Sequence, residues 1–286
     1  MNHHRDRFVA AVYGLAALAL LTGCGSDELS ATSATTSATA EPSTPSLTYA
    51  TQGTHAVGYQ VLTTTGAQEQ PLTLRTWYPA LRPDDDQPAT ITYTAPDKFG
   101  EEITPGEEIT SVGCAIADAQ PEQTDEPYPL VVFSHGDALS PIVHSTLVEH
   151  YASNGYVVLA PEHNETLDGS LDGFCEELID RPVDIGRTID EAERLTEPGA
   201  PLAGLIDIDN VAVVGHSYGG CTALAAGGAR FDFAAFTVCC AALATDDPLN
   251  FFCAPVPNEA DMAMRAGLDE VPPVCGRRSK TRESRP

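Results

Sequence analysis

The chain has 286 residues and carries 41 Asp plus Glu against 15 Lys plus Arg, for a formal net charge of −26. Acidity on this scale repels a phosphate backbone, so no nucleic-acid partner is expected. The 42% hydrophobic content and a mean hydropathy of −0.12 indicate a globular body rather than a multi-pass membrane protein.

The N-terminus has the pattern of an export signal. Two arginines precede an apolar stretch over 8–21, which is shorter than the roughly 20 residues of a transmembrane helix and suits a secretory signal. The sequence Leu-Thr-Gly-Cys that follows resembles the lipobox of bacterial lipoproteins, in which the cysteine is acylated. We therefore expect a signal peptide over 1–23 and lipidation of Cys24, the alternative being an ordinary signal whose cleavage site falls near a cysteine.

A Ser/Thr/Ala/Pro-rich segment separates this signal from the body of the chain. Residues 24–48 show no apolar periodicity, so they are expected to form a disordered tether. Together with the lipid anchor, the tether predicts an exported protein that is held on a membrane and faces the periplasm or the cell exterior.

Seven cysteines follow Cys24, and an exported chain favours disulfides. The shortest loop joins Cys239 or Cys240 to Cys253, and an odd total leaves at least one thiol without a partner in this set. No Cys-x-x-Cys pair or Cys/His cluster has metal-ligand spacing, so neither a metal nor a cofactor is expected.

The body alternates strand-like and helix-like stretches. Strands are predicted over 57–63, 73–78, 130–134, 156–160 and 211–215, and helices over 144–154, 183–195 and 218–228. This alternation implies parallel crossover units and an α/β sheet with helices on both faces. Residues 79–127 are acidic and proline-rich and are predicted as a long loop, whereas 236–240 are as easily helix as strand.

The segment Gly215-His216-Ser217-Tyr218-Gly219 has the pattern G-x-S-x-G. It lies between the buried strand over 211–215 and an Ala/Gly-rich helix, which is the strand–turn–helix context in which this motif exposes a nucleophile. The pattern predicts a tight turn that exposes Ser217 as a nucleophile. The alternative is a structural turn without catalysis.

A second motif, Phe-Ser-His-Gly, follows the earlier strand over 130–134. A turn here, made by His135 and Gly136, lies at the same sheet edge as Ser217. We expect the backbone N–H groups of Asp137 and Tyr218 to be the oxyanion donors, with His135 bracing the turn.

Four segments resemble bacterial serine esterases similar to platelet-activating-factor acetylhydrolases and dienelactone hydrolases: TWYPA at 76–80, FSHG at 133–136, YASNGYVVLAPEH at 151–163 and GHSYGG at 215–220. The resemblance implies a mostly parallel α/β-hydrolase fold and a Ser–Asp–His esterase that works through an acyl-enzyme at Ser217. Its substrate would be a small-molecule or lipid ester. One departure is Asp137, where relatives usually carry an apolar residue, because its carboxylate would oppose the oxyanion if it faced the site.

The expected general base is missing from its usual place. The eight histidines are His3, His4, His55, His135, His144, His150, His163 and His216, and none follows Ser217. His163 is the best substitute because it ends a strand at the same sheet edge, the alternative being a locally bonded loop histidine. Asp246 and Asp247 are predicted to lie in a turn rather than to provide the acid.

Few strand-like segments follow Ser217, so the sequence predicts that the C-terminal strands and helices of the fold are missing. The expected organisation is then an incomplete hydrolase domain over 49–275 and a basic tail over 276–286 that a frame shift would explain. The strand over 211–214 would lie at an exposed sheet edge and cause poor solubility. Three hypotheses remain: a membrane-tethered serine hydrolase, a catalytically inactive lipoprotein of the same fold, and a surface binding module.

Overall fold

A computed structural model describes residues 9–12, 51–82, 89–97, 108–165, 171–230, 232–244 and 246–267. The predictions of lipidation at Cys24, a tether over 24–48 and a basic tail over 276–286 lie outside the described residues, as does almost all of the signal segment. In the part of the chain that is described, no helix has the length and apolarity needed to cross a membrane.

A seven-stranded mixed sheet with the order β1-β9-β7-β8-β3-β2-β6 forms the centre of the molecule. Its strands are β1 (Val9–Val12), β2 (Ala56–Thr65), β3 (Pro71–Ala80), β6 (Ile116–Ala117), β7 (Tyr128–Ser134), β8 (Val157–Glu162) and β9 (Ile206–Gly215). β7 pairs in parallel with both β8 and β9, whereas β3 runs antiparallel to β2 and β8. The carboxyl ends of β7, β8 and β9 therefore meet at one edge of the sheet.

Both faces of the sheet are buried, as the continuous apolar runs predict. On β7, Leu130 and Val132 belong to one apolar cluster, and Val131 and Phe133 belong to the other. This alternation places successive side chains on opposite faces. The predicted buried strands at 130–134, 156–160 and 211–215 are confirmed.

Helices cover both faces. Their bounds are α1 (Ser145–Ser153), α2 (Leu171–Leu195), α3 (Tyr218–Ala226), α4 (Phe233–Ala242) and α5 (Glu259–Arg265). α1 packs on the face of Val131, and α2 and α3 pack on the face of Leu130. The α/β-hydrolase-type sheet predicted from the sequence is thus confirmed, although α2 begins a dozen residues before the predicted 183–195.

The prediction of one long loop over 79–127 is wrong. An antiparallel pair, β4 (Ile91–Pro96) and β5 (Glu108–Gly113), forms a separate two-stranded sheet, and β6 adds to the edge of the main sheet. Along β4, the less exposed Ile91, Tyr93 and Ala95 alternate with exposed Thr92, Thr94 and Pro96, which suits a half-buried hairpin. The surrounding acidic and proline-rich composition masked that pattern.

In this structure, residues of the predicted signal segment pair with the edge at 211–214; the exposed edge stays a prediction for the exported chain, from which 1–23 are removed. β1 pairs in parallel with β9, with Val9 opposite Ala212 and Val12 opposite Gly215. β9 is longer than predicted and has a neighbouring strand on each side.

The described residues after Ser217 form helices joined by turns and loops. α4 includes 236–240, so helix is the correct one of the two assignments left open. A disulfide joins Cys240 to Cys253, which confirms the short loop expected at this point and selects Cys240 over Cys239.

Candidate active site

Ser217 lies at the turn between β9 and α3 in a backbone conformation that few residues adopt. Its φ of 53° and ψ of −119° fall outside the regions open to an ordinary L-residue, and its side chain is exposed. Such strain persists only where the surroundings impose it, and it is concentrated at functional sites. The turn therefore presents the hydroxyl group outward from the sheet edge, as the G-x-S-x-G pattern predicts.

The glycines of the motif allow the close approach of three backbone segments. A Cβ on Gly215 would lie 2.0 Å from the carbonyl oxygen of Gly219. A Cβ on Gly219 would lie 2.1 Å from the carbonyl oxygen of Ser134, at the end of β7. Any side chain at either position would push α3 away from the sheet.

The turn after β7 lies beside the serine. A methyl group on Gly136 would lie 3.6 Å from the Cβ of Ser217, so the two turns are in contact distance of each other. His135 is fully buried, and its Nδ1 donates to the Gly136 carbonyl oxygen at 2.7 Å. Its Nε2 accepts from the backbone N–H of His163 at 3.2 Å. These bonds hold the His135 ring between the turn after β7 and the end of β8.

Asp137 is half-buried, and its carboxylate belongs to a cluster of charged groups. The carboxylate oxygens of Asp137, Glu165 and Glu177 lie within 4.8 Å of one another. Arg181 forms ion pairs with Glu165 and Glu177, so a guanidinium group accompanies the three carboxylates. The Asp137 carboxylate therefore has a cation nearby, but it shares this cation with two other carboxylates.

His163 is engaged in a buried array at the ends of β7 and β8. Its Nδ1 donates to Asp184 Oδ2 at 2.8 Å, and its Nε2 lies 3.0 Å from Ser134 Oγ. All three side chains are buried, with Ser134 at 0% exposed. Both ring nitrogens of His163 thus face partners other than Ser217, and this geometry opposes the role of substitute base.

A second pair of histidines includes His216, the residue before Ser217. The rings of His144 and His216 have centroids 4.8 Å apart, and His144 also packs against Phe133. Burial, with a smaller effect of His216, lowers the pKa of His144 to about 4. His144 is therefore neutral at physiological pH.

The acid of the triad has no clear counterpart among the described residues. The backbone N–H of Asp247 donates to the carbonyl oxygen of Ala244 at 3.0 Å, which is the geometry of a turn, as predicted for this segment.

Three polar residues of this region were missed in the sequence: Ser134, Arg181 and Asp184. A signal for Arg181 was present, because Arg181, Ile185 and Ile189 recur at helical spacing on the buried stripe of α2. A charged side chain on such a stripe indicates a buried polar partner.

The mostly parallel sheet and the strained, exposed serine between strand and helix define the α/β-hydrolase fold. Residues 41–178 match the family model for platelet-activating factor acetylhydrolase, isoform II. The resemblance to these hydrolases is thereby confirmed, whereas the dienelactone-hydrolase resemblance stays a prediction.

Two curated relatives are mammalian platelet-activating factor acetylhydrolases. The protein of Canis lupus familiaris is 28% identical over 37% of this chain and 33% of its own length, and that of Bos taurus is 26% identical over 36% and 32%. The matched part of the chain thus spans about a third of the length of these relatives.

Solved structures with similarity include a ferulic acid esterase from Streptomyces cinnamoneus, which is 26% identical with a TM-score of 0.41. This match covers 62% of this chain and 56% of the esterase. A puromycin-hydrolysing peptidase of Mycobacterium tuberculosis is 18% identical with a TM-score of 0.40, over 79% of this chain and 30% of the peptidase. Because both TM-scores are low, the assignment of the fold rests on the strand order and on the turn at Ser217 rather than on these matches.

Proposed function

We propose that this chain is a serine hydrolase that acts on carboxylic esters through an acyl-enzyme at Ser217. The single observation that carries the proposal is the exposed Ser217 at positive φ, next to the turn of His135 and Gly136. In the reaction, Ser217 Oγ attacks the ester carbonyl carbon while a base takes its proton; the acyl C–O bond then breaks, and the base returns the proton to the departing alcohol. Water then hydrolyses the acyl-enzyme. The N–H groups of Tyr218 and Asp137 would stabilise the oxyanion.

The names of the relatives suggest which substrates to test first. Because the curated relatives are named acetylhydrolases, acetyl esters are the first substrates to test. No cofactor is part of the proposed reaction.

A second hypothesis, an inactive protein of the same fold, is favoured by one observation. Both ring nitrogens of His163, the histidine predicted as the substitute base, face Asp184 and Ser134 rather than Ser217. Without a paired base, a serine hydroxyl is a weak nucleophile at neutral pH.

A fluorophosphonate probe separates the two hypotheses. In the first, the probe labels Ser217, intact-mass spectrometry shows one phosphonyl adduct, and Ser217→Ala abolishes both the adduct and the hydrolysis of 4-nitrophenyl acetate. An unlabelled wild-type chain, or equal labelling of Ser217→Ala, would reject Ser217 as the nucleophile.

We also propose that the protein is exported and held on a membrane through a lipid on Cys24. The charged start, the apolar stretch over 8–21 and the Leu-Thr-Gly-Cys sequence support this proposal. Expression in a bacterium fed with a radiolabelled fatty acid tests it. We expect label in the wild type and none in Cys24→Ser, and an unlabelled wild type would contradict the anchor.

A further inference from the structure

Arg181 is a long charged side chain in an unusual place. It lies in the middle of α2, and only 1% of its surface is exposed. Arginine is almost never buried to this extent unless its guanidinium group is paired and hydrogen-bonded. The partners of Arg181 therefore indicate what the fold uses this side chain for.

Two of those partners are successive backbone carbonyl groups of the turn after β7. Arg181 Nη1 donates to the His135 oxygen at 2.8 Å, and Nη2 donates to the Gly136 oxygen at 3.2 Å. The Gly136 oxygen also accepts from His135 Nδ1 at 2.7 Å and from the Leu139 N–H at 3.3 Å. Three donors thus fix the direction of one carbonyl group.

The planarity of the peptide group carries this constraint to the next residue. In a trans peptide the C=O of Gly136 and the N–H of Asp137 point in opposite directions. The structure has no cis peptide bond among its described residues. Because the carbonyl oxygen points toward Arg181, the Asp137 N–H points away from it.

The side chain of the other donor residue, Tyr218, contacts the same guanidinium group. The Cζ of Arg181 lies 4.7 Å from the centroid of the Tyr218 ring, a cation–π distance. Tyr218 is the first residue of α3 and follows Ser217 directly. One side chain of α2 thus contacts both turns that hold the expected oxyanion donors.

We infer that Arg181 is a positioning residue that orients the oxyanion donors of Asp137 and Tyr218 beside Ser217. This inference rests on the proposed function of Ser217. The planar fork of arginine suits the role, because its two terminal nitrogens reach two adjacent carbonyl groups, which one ammonium group cannot do with the same geometry.

The carboxylates around Arg181 complete the arrangement. Glu165 pairs with Nη2, the nitrogen that also donates to Gly136, and Glu177 pairs with Nε, so both carboxylates help to hold the guanidinium group in place. Burial lowers the pKa of Arg181 to about 10, against the opposing effects of Tyr218, Asp137 and Asp184. The group therefore keeps its charge at neutral pH.

The experiment compares Arg181→Met and Arg181→Lys with the matched pair Arg187→Met and Arg187→Lys. Arg187 lies on the same helix, but its side chain is 43% exposed and pairs with Glu69 at the surface. The readouts are the second-order rate of Ser217 phosphonylation by the fluorophosphonate probe and the separate kcat and KM for 4-nitrophenyl acetate. Circular dichroism checks that each variant is folded.

We expect Arg181→Met to lower the phosphonylation rate and kcat by about 10- to 100-fold with little change in KM, since misplaced donors act mainly on the transition state. Arg181→Lys should recover part of this loss, and both Arg187 variants should react like the wild type. A folded Arg181→Met that reacts at the wild-type rate, or a loss confined to KM, would overturn the inference.

If the fluorophosphonate probe does not label the wild-type chain, the proposed function is rejected. The positioning role of Arg181 is then tested by crystallography. Crystal structures of the wild type and Arg181→Met then decide it. A rotated peptide between Gly136 and Asp137 in the variant supports the positioning role, and an unchanged peptide overturns it. If Arg181→Met does not fold, Arg181→Lys replaces it in both measurements under the same criteria.

Discussion

Ser217 shows how a single residue can conflict with the local preference of the chain. Its φ of 53° suits glycine, yet the position carries a serine whose exposed side chain makes few packing contacts. Holding a non-glycine residue in such a region costs on the order of 1–3 kcal/mol. The fold maintains this strain because Gly215 and Gly219 let β9, α3 and the end of β7 approach closely.

Replacement of Ser217 is expected to reveal that strain. We expect Ser217→Gly to be more stable than Ser217→Ala by about 1 kcal/mol, because glycine relieves the strain and alanine retains it. Urea unfolding of both variants measures the difference. Ala225→Gly is the matched control, since it introduces glycine at an exposed position of α3 with ordinary helical geometry. That control should lose about 1 kcal/mol. A Ser217→Gly variant that is less stable than Ser217→Ala would contradict the strain.

At the scale of elements, α2 links the parts of the candidate site. Asp184 accepts from the backbone N–H of Ala67 at 2.7 Å and from His163, while Arg181, one turn earlier, binds the turn after β7. One face of one helix thus connects β7, β8 and the loop before β3. The amphipathic pattern of α2 predicts that this face is buried, but it does not predict these polar contacts.

The segment after α3 is held in place by a disulfide. α4 and the following 3₁₀ turn (Pro248–Cys253) are joined by the disulfide between Cys240 and Cys253, with a sequence separation of 13 residues. Only Phe233 of α4 is buried, so apolar packing contributes little to holding this helix in place.

Removal of the disulfide should therefore loosen this segment selectively. For a loop of this length, the lost constraint on the unfolded chain is worth up to about 3 kcal/mol. We expect the double variant Cys240→Ser/Cys253→Ser to show faster amide hydrogen exchange in α4 and unchanged exchange in β7 and β9. Cys239→Ser is the control, because Cys239 is exposed and forms no disulfide. Equal effects of the control and the double variant would show that the disulfide does not stabilise the segment.

At the scale of the whole molecule, charged and apolar residues are unevenly distributed over the surface. The chain has a net charge of −26, yet α4 contains no charged residue and exposes most of its apolar side chains. Val238 is 71% exposed, and Leu224 of α3 is 41% exposed. A helix that exposes apolar side chains over most of its length, as α4 does, is rare on the surface of a globular protein.

This surface should bind a hydrophobic dye. We expect the wild type to enhance the fluorescence of ANS and Val238→Asp to reduce that enhancement, because a carboxylate interrupts the apolar surface. Val112→Asp is the matched control, since Val112 is 68% exposed on β5 and lies between Ser111 and Gly113. Equal fluorescence of the wild type and Val238→Asp would show that α4 is not the dye-binding surface.

The sequence by itself determined the parallel core and the turn at Ser217. Runs of apolar residues such as 130–134 are buried on both faces wherever they lie in the sheet, and G-x-S-x-G between strand and helix allows few geometries. These are local patterns, and they were predicted correctly. The β4–β5 hairpin was missed, because its own alternation is short and its acidic, proline-rich surroundings are typical of loops.

Only the tertiary structure decided which polar groups meet. His163 follows a strand at the right sheet edge, but its orientation toward Ser134 and Asp184 depends on a helix that packs from a distant part of the chain. Arg181 is 45 residues after Gly136 in sequence and binds its carbonyl oxygen across the packed interior. Such contacts depend on how helices pack on the sheet, and no local sequence pattern encodes them.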